Sequence, residues 1–314
     1  MQRLQIKLSE SFETILIIGD HEIDESIKSQ EELVCLLVST LNSKVKEFRR
    51  RLPNSLIIII SLAQDILMNC EVPNSSDYKS LSENLKSSNG LIVDCAFLKK
   101  IVIDKFYYKR PILVVPYVFD KIKITQLKKP NFPKHIGTNR AFDDVHNNGV
   151  VFAAVSKLDE ASYGKFYCVK HGDKFESFVN QFFEHFKNGK FEQLPYSDKI
   201  EDFLSNISIF VSSSPIDGKA ISIIEAMASG KVVIAPRIPC NEEFILEGKS
   251  GFLFEVDNVE SLKSVLKRCL DMTSSQFSEI SEAAKKSAQV HLDSVANVNK
   301  IKRFMLQLEN LSRT

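Results

Sequence analysis

Residues 209–235 read Ile209-Phe-Val-Ser-Ser-Ser-Pro-Ile-Asp217-Gly218-Lys219-Ala-Ile-Ser-Ile-Ile-Glu225-Ala-Met-Ala-Ser-Gly230-Lys-Val-Val-Ile-Ala235. The order of polarity along this stretch decides the fold. Residues 209–211 form a short apolar run that reads as a strand, 212–218 a polar turn, 221–228 a helix and 232–235 a second strand. A strand, loop, helix and strand in this order make one unit of a parallel sheet. In such units the loop after a strand's carboxyl end and the amino end of the next helix face the ligand crevice. Free backbone N–H groups and the helix dipole suit a phosphate there. Asp217 falls in the loop and Glu225 about one turn into the helix, so one carboxylate can face the mouth of the crevice while the other meets hydroxyl groups deeper along it. Each also has a plainer reading, Asp217 as a turn or cap residue and Ser222-x-x-Glu225 as a capping box.

The rest of the chain alternates in the same way. Apolar strands are expected at 14–18, 56–60, 91–93 and 112–115, with a crossover helix over 29–51 from the spacing of Leu33, Leu36, Leu37, Leu41, Val45 and Phe48, and another through 97–106. The alternation is α/β, with helices expected on both faces of parallel sheets. Residues 121–134 hold five lysines and prolines at 130 and 133, the composition of a connection between domains. Helices follow at 147–158, 277–288 and 295–311, and a strand at 165–169.

Composition narrows the function. With 41 basic and 40 acidic residues in 314, nothing in the bulk charge points to nucleic acid. The six cysteines, at 35, 70, 95, 168, 240 and 269, show no C-x-x-C spacing, which favours reduced thiols in a cytoplasmic setting over disulfides or a zinc site. The amino-terminal segment lacks a signal-type apolar region, and no run approaches the ~20 apolar residues of a membrane span. Arg49-Arg50-Arg51 closes a helix, where positive charge complements the dipole; its alternative is a contact with a pyrophosphate-linked acceptor or a peripheral one with an anionic inner-membrane surface.

The motif D-G-K-A-I-S-I-I-E-A-M-A-S-G-K-V-V-I-A resembles the E-x7-E signature of the retaining glycosyltransferases of family 4, written E-G-F-G-L-x-x-x-E-A-M-A-x-G-x-P-V-I-A. Residues 239–245 (P-C-N-E-E-F-I) resemble the family's P-E-I segment and 247–254 (E-G-K-S-G-F-L-F) its G-x-x-G-x-L turn and strand. The likeness covers most of 88–270. It implies the GT-B fold, two Rossmann-like domains with parallel sheets facing across a cleft, here with a shortened first domain. The implied divisions are 1–124 on the acceptor side, 125–292 binding the nucleotide sugar, and a helix at 293–314 crossing back to the first domain.

By resemblance, Glu225 binds the ribose, Asp217 the donor sugar, and the helix amino end with Gly218, Lys219, Ala220 and Ile221 the diphosphate. His135-Ile-Gly137-Thr-Asn-Arg140 is similar to the family's V-G-R strand and basic residue, which makes Arg140 the diphosphate ligand, since a guanidinium can take two phosphate oxygens in its fork. The family's lysine five residues on is absent; His146 is nearby as a substitute. His171-Gly172-Asp173 matches the family's G-D-G turn, Tyr196 stands beside the base, stacked on it or packed in the core, and His21 follows the first strand in place of a Gly-Gly loop, either a catalytic residue that approaches the transferred sugar or an acceptor, or a merely solvated loop histidine. The expected substrate is a nucleotide-diphosphate sugar and the acceptor a glycan or lipid-linked saccharide. No cofactor and no metal are expected, because the sequence has no D-x-D acidic pair. Asp217 in place of Glu, the missing lysine and the short first domain suit a catalytically degenerate GT-B binding or assembly partner. A nucleotide-sugar epimerase on the same scaffold is the third reading.

Overall fold

A computed structural model of the chain describes residues 14–18, 34–38, 45–51, 53–61, 63–73, 75–116, 134–186, 189–218 and 220–312. Residues 1–119 with 293–314 form one unit and residues 120–292 a second.

In the first unit the elements run β1 (Thr14–Ile18), β2 (Val34–Val38), α1 (Val45–Arg51), β3 (Leu56–Ile60), α2 (Ala63–Leu67), α3 (Ser76–Ser87), β4 (Gly90–Val93), α4 (Ala96–Phe106) and β5 (Ile112–Val114). All five strands are parallel and lie in chain order, β1-β2-β3-β4-β5. Right-handed crossovers between strands in that order put the connecting helices on one face. The opposite face is covered from far along the chain. Leu56, Ile58 and Ile60, which share a face by strand alternation, cluster with Ile92 and Val115 and with Val298, Ile301, Phe304, Met305 and Leu308 of the C-terminal helix Ser294–Ser312.

The helix expected over 29–51 is corrected: its amino half contains strand β2, and the helix described within that range is Val45–Arg51. Val34 to Val38 is paired on both sides, with β1 and with β3. A strand inside a parallel sheet needs a continuous apolar run, and a run of five satisfies helical spacing by accident. Arg49 is a structural clamp. It donates to the carbonyls of Pro53 and Ser55 at 2.9 Å each, to that of Ser87 at 3.3 Å, and to the Asn89 side chain.

The second unit contains β6 (Ile136–Thr138), α5 (Asn148–Ser156), β7 (Phe166–Lys170), α6 (Phe175–Phe182), β8 (Phe191–Pro195), α7 (Ile200–Leu204), β9 (Ile209–Val211), α8 (Ile221–Ala228), β10 (Val232–Pro236), α9 (Pro239–Glu242), β11 (Phe252–Phe254), α10 (Val259–Asp271) and α11 (Ser274–Gln289). Its six parallel strands are ordered β11-β10-β9-β6-β7-β8. The chain builds outward from β6 to β8, then returns to the other side of β6 and builds outward again to β11. Such a reversal leaves a crevice beyond the carboxyl ends of β6 and β9. The core beneath is rich in phenylalanine, with Phe142, Phe152, Phe166 and Phe175 all buried and packed edge to face.

Among the described residues no helix is long and apolar enough to cross a membrane. Of the lysine-rich connection, only Lys134 lies within them, and it is 6% exposed. Its ammonium donates to the carbonyls of Cys269 (3.0 Å), Leu270 (2.6 Å) and Met272 (2.6 Å), capping the carboxyl end of α10, where cations complement the dipole. Lys134→Met keeps the aliphatic stem and orphans these carbonyls. Chemical denaturation is expected to show a loss of about 3 kcal/mol, the scale of a lost charged hydrogen bond; a loss below about 0.5 kcal/mol, the scale of surface substitutions, would show the cap to be idle.

Candidate functional site

The loops after β6 and β9 meet at the crevice, and Arg140 joins them. Its Nε donates to Ser214 Oγ at 2.8 Å, Nη1 to Ser222 Oγ at 3.3 Å, and Nη2 forms an ion pair with Asp217. The two charged side chains are 14% and 17% exposed. Below them runs a buried network. Asn148 Nδ2 donates to the carbonyls of Arg140 (3.1 Å) and Ala141 (2.8 Å), and its Oδ1 accepts from Thr138 Oγ1 (3.4 Å) and Ser213 Oγ (3.3 Å). Ser213 Oγ also reaches the carbonyl of His146 at 2.6 Å. Fully satisfied networks of this kind fix loop positions because every broken bond would strand a buried polar group.

Two packing features hold the Arg140 loop from the other side. The Phe142 ring, two residues on, is buried in the phenylalanine core, and its backbone pairs with His171 O (2.8 Å) and Lys174 N (3.0 Å). Gly172 lies between these partners with φ +104°, and a Cβ there would stand 2.5 Å from the backbone N and O of Phe142. Only glycine allows that approach.

Glu225 occupies the second turn of α8, half-buried, and no hydrogen-bond donor among the described residues reaches its carboxylate. Burial, with a smaller contribution from the charge of Glu201, raises its pKa from 4.5 to about 7. The amino end of α8 is capped by Ala220 with no side-chain hydrogen bond; the Ile223 N–H turns back to the Ala220 carbonyl at 3.1 Å, and no N-cap side chain claims the N–H groups of Ile221 and Ser222. The capping-box reading is corrected, because Ser222 lies inside the helix and its hydroxyl is turned to Arg140.

A cavity of about 270 Å³ is walled by Val169, Leu194, Pro195, Ile200 and Phe203, with Tyr196 at its edge and, in its lining, Asn139, the residue before Arg140. The Asn139 Oδ1 is buried without a hydrogen-bond partner. Tyr196 is 59% exposed, which rules out the core-packing reading, and its ring lies 4.6 Å from that of His171. A wider groove of about 960 Å³ lies between α10 and α11, lined by charges of both signs including Lys267, Arg268, Asp271 and Glu279.

Gly137 is buried in β6, and a Cβ there would fall 2.5 Å from Ile207 and 2.9 Å from Phe203, a packing reason for glycine. Gly218 and Ala220 are buried and Ile221 is exposed at the tip of α8. His146 is turned to Asp143, with Nδ1 2.7 Å from its Oδ1. His21 and Lys219 lie outside the described residues. Among the described residues no cluster of His, Cys, Asp and Glu is placed to hold a metal ion. Ser214, Ser222, Asn148 and Asn139 were not expected; the only hint was the Ser212-Ser213-Ser214 run closing β9.

Two parallel α/β units, the second with a crevice at a strand-order reversal, define the class of GT-B glycosyltransferase folds. A model of the family described as glycosyl transferases group 1 matches residues 121–287, more than half of the chain. The chain belongs to the glycosyl transferases group 1 family. No curated protein sequence matches it significantly. Among solved structures it is similar to a mutant of Staphylococcus aureus TarM in complex with fondaparinux, alpha-GlcNAc-glycerol and UDP, with TM-score 0.74 and 15% identity over 90% of this chain and 57% of that one. The pneumococcal O-GlcNAc transferase GtfA, in complex with UDP and GlcNAc, gives TM-score 0.75 and 14% identity over 90% and 58%. A glycosyltransferase from Rickettsia africae ESF-5 gives TM-score 0.67 and 16% identity over 95% and 99%. The chain thus spans little more than half the length of TarM and GtfA.

The raised pKa of Glu225 has a consequence for stability. The folded state favours its neutral form, so that contribution is complete below about 4.5 and is lost as pH rises through about 7. Glu225→Gln mimics the neutral form and is expected to match the parent at pH 4.5 and exceed it above pH 7, by up to ~3 kcal/mol. Denaturant titrations at pH 4.5 and 8 that give parallel curves for the two proteins would contradict the assignment.

Proposed function

We infer that the protein is a glycosyltransferase of the retaining, family 4 type, which moves a hexosyl unit from a nucleotide-diphosphate sugar to a hydroxyl of a glycan or lipid-linked acceptor. The observation that carries this reading is the set of groups at the β6–β9 crevice. The Arg140 guanidinium is hydrogen-bonded to the first turn of α8, whose amino end has no side-chain cap; Glu225 follows one turn along the same helix, and a cavity sized for one heterocycle is lined by Asn139, the neighbour of Arg140 in the chain. The UDP in the TarM and GtfA structures makes uridine the first base to test.

In this reading the base enters the cavity beside Leu194 and Tyr196, and the ribose hydroxyls donate to Glu225. The diphosphate sits between the first turn of α8 and Arg140, where positive charge stabilises the leaving group as its bond to the sugar breaks. Lys219 adds to that charge. Asp217 meets the hydroxyls of the donor sugar, and the departing diphosphate takes the acceptor's proton on the same face, which preserves the anomeric configuration. The protein's own positive groups replace a metal. Work on polysaccharide or lipid-linked saccharides at the cytoplasmic side of a membrane suits such an acceptor, and His21 belongs to the acceptor side.

The competing reading is a GT-B scaffold without chemistry, and the observation favouring it is that Arg140 is already paired with Asp217. Calorimetric titration with UDP and GDP separates the two. The transferase reading expects micromolar binding that Glu225→Ala weakens by about 10- to 100-fold, the equivalent of a charged hydrogen bond of ~1.5–3 kcal/mol. No binding of either nucleotide would leave the silent scaffold as the answer.

A further inference from the structure

We propose that Asp217 distinguishes a loaded donor from a spent one, by competing with the diphosphate for Arg140 whenever no sugar occupies the site. The proposal rests on the function proposed above and concerns an exchange of partners at one guanidinium.

Arg140 has three partners of two kinds. Ser214 and Ser222 are neutral, lie in the loop after β9 and in the first turn of α8, and set where the guanidinium plane stands. Asp217 alone brings charge. Because Ser222 belongs to the first turn of α8, the ion pair stands directly beside the helix end that offers its N–H groups to a phosphate. A phosphate that reaches both the helix end and Arg140 must therefore take the place of the Asp217 carboxylate. Only one anion can hold that Nη2 side of the fork at a time.

The displaced carboxylate needs new donors, since at 17% exposure it is only partly returned to water. A donor sugar on the second phosphate supplies them as hydroxyl groups. With UDP-sugar bound, both anions are satisfied, the phosphate by Arg140 and Asp217 by the sugar. Once the sugar is transferred, Asp217 loses those donors and its ion pair with Arg140 again opposes the phosphate. The same carboxylate thus favours retention of the substrate and release of the nucleoside diphosphate. The short Ser214-Pro-Ile-Asp217 turn places an aspartate where its short side chain meets Arg140.

The test uses the full chain and Asp217→Asn, which keeps the shape and can still accept from Arg140 but carries no charge. Asp217→Ser serves the same purpose should the amide variant fold poorly, and thermal melting reports folding of each. Titration calorimetry at fixed ionic strength compares UDP with UMP and GDP with GMP. The proposal expects the neutral variants to bind the diphosphate about tenfold more tightly than the parent does, with monophosphate affinity unchanged, and Asp217→Glu to behave as the parent. Diphosphate affinity that is unchanged or weaker in a folded neutral variant would overturn the proposal while leaving the transferase reading intact. Absence of binding of either diphosphate to the parent and to every variant would overturn both.

Discussion

A half-buried guanidinium is the constraint around which the second unit is arranged. Taking the Arg140 charge out of water is costly unless its N–H groups find acceptors, and at 14% exposure three of them do. Those acceptors come from the loop after β9 and the first turn of α8, so the pairing of β6 with β9 in the sheet is a precondition for the site. The loop bearing Arg140 is in turn pinned by Asn148 on one side and by Phe142 against the Gly172 turn on the other. Removing any of these supports would let the charge wander toward solvent and separate it from the helix end.

Charges elsewhere in the chain show how this site differs. Lys134 and Arg49 are also partly or fully removed from water, yet their hydrogen bonds go largely to backbone carbonyls that helix or strand ends would otherwise strand. They close the accounts of the fold. At the β6–β9 crevice the reverse holds. Among the described residues Glu225 has no hydrogen-bond donor, α8 lacks a side-chain cap, and Asn139 keeps an unpartnered oxygen beside the cavity. Unspent hydrogen-bonding capacity gathered in one place is what a polar ligand requires, and its cost to the unliganded fold is visible in the raised pKa of Glu225.

The first unit makes a complementary point about distance along the chain. Its strands lie in chain order, so the connecting helices leave one sheet face bare, and the residues that cover it come from 298–308. The five-residue run of β2 satisfies both the helical and the strand periodicity, and only its pairing with two neighbouring strands makes it a strand.

The sequence alone determined the elements whose signal is local: most strands, the long terminal helices, the loop and helix around Asp217 and Glu225, and the basic residue after β6. Apolar periodicity and turn chemistry act over a few residues, so they can be read without neighbours. Only the tertiary structure decided that Arg140 and Asp217, 77 positions apart, share one ion pair, that Ser222 serves Arg140 and not a cap, and that no donor among the described residues reaches Glu225. Those outcomes depend on which strand lies beside which. A sheet's strand order is set by long-range burial, to which no local pattern in the chain corresponds.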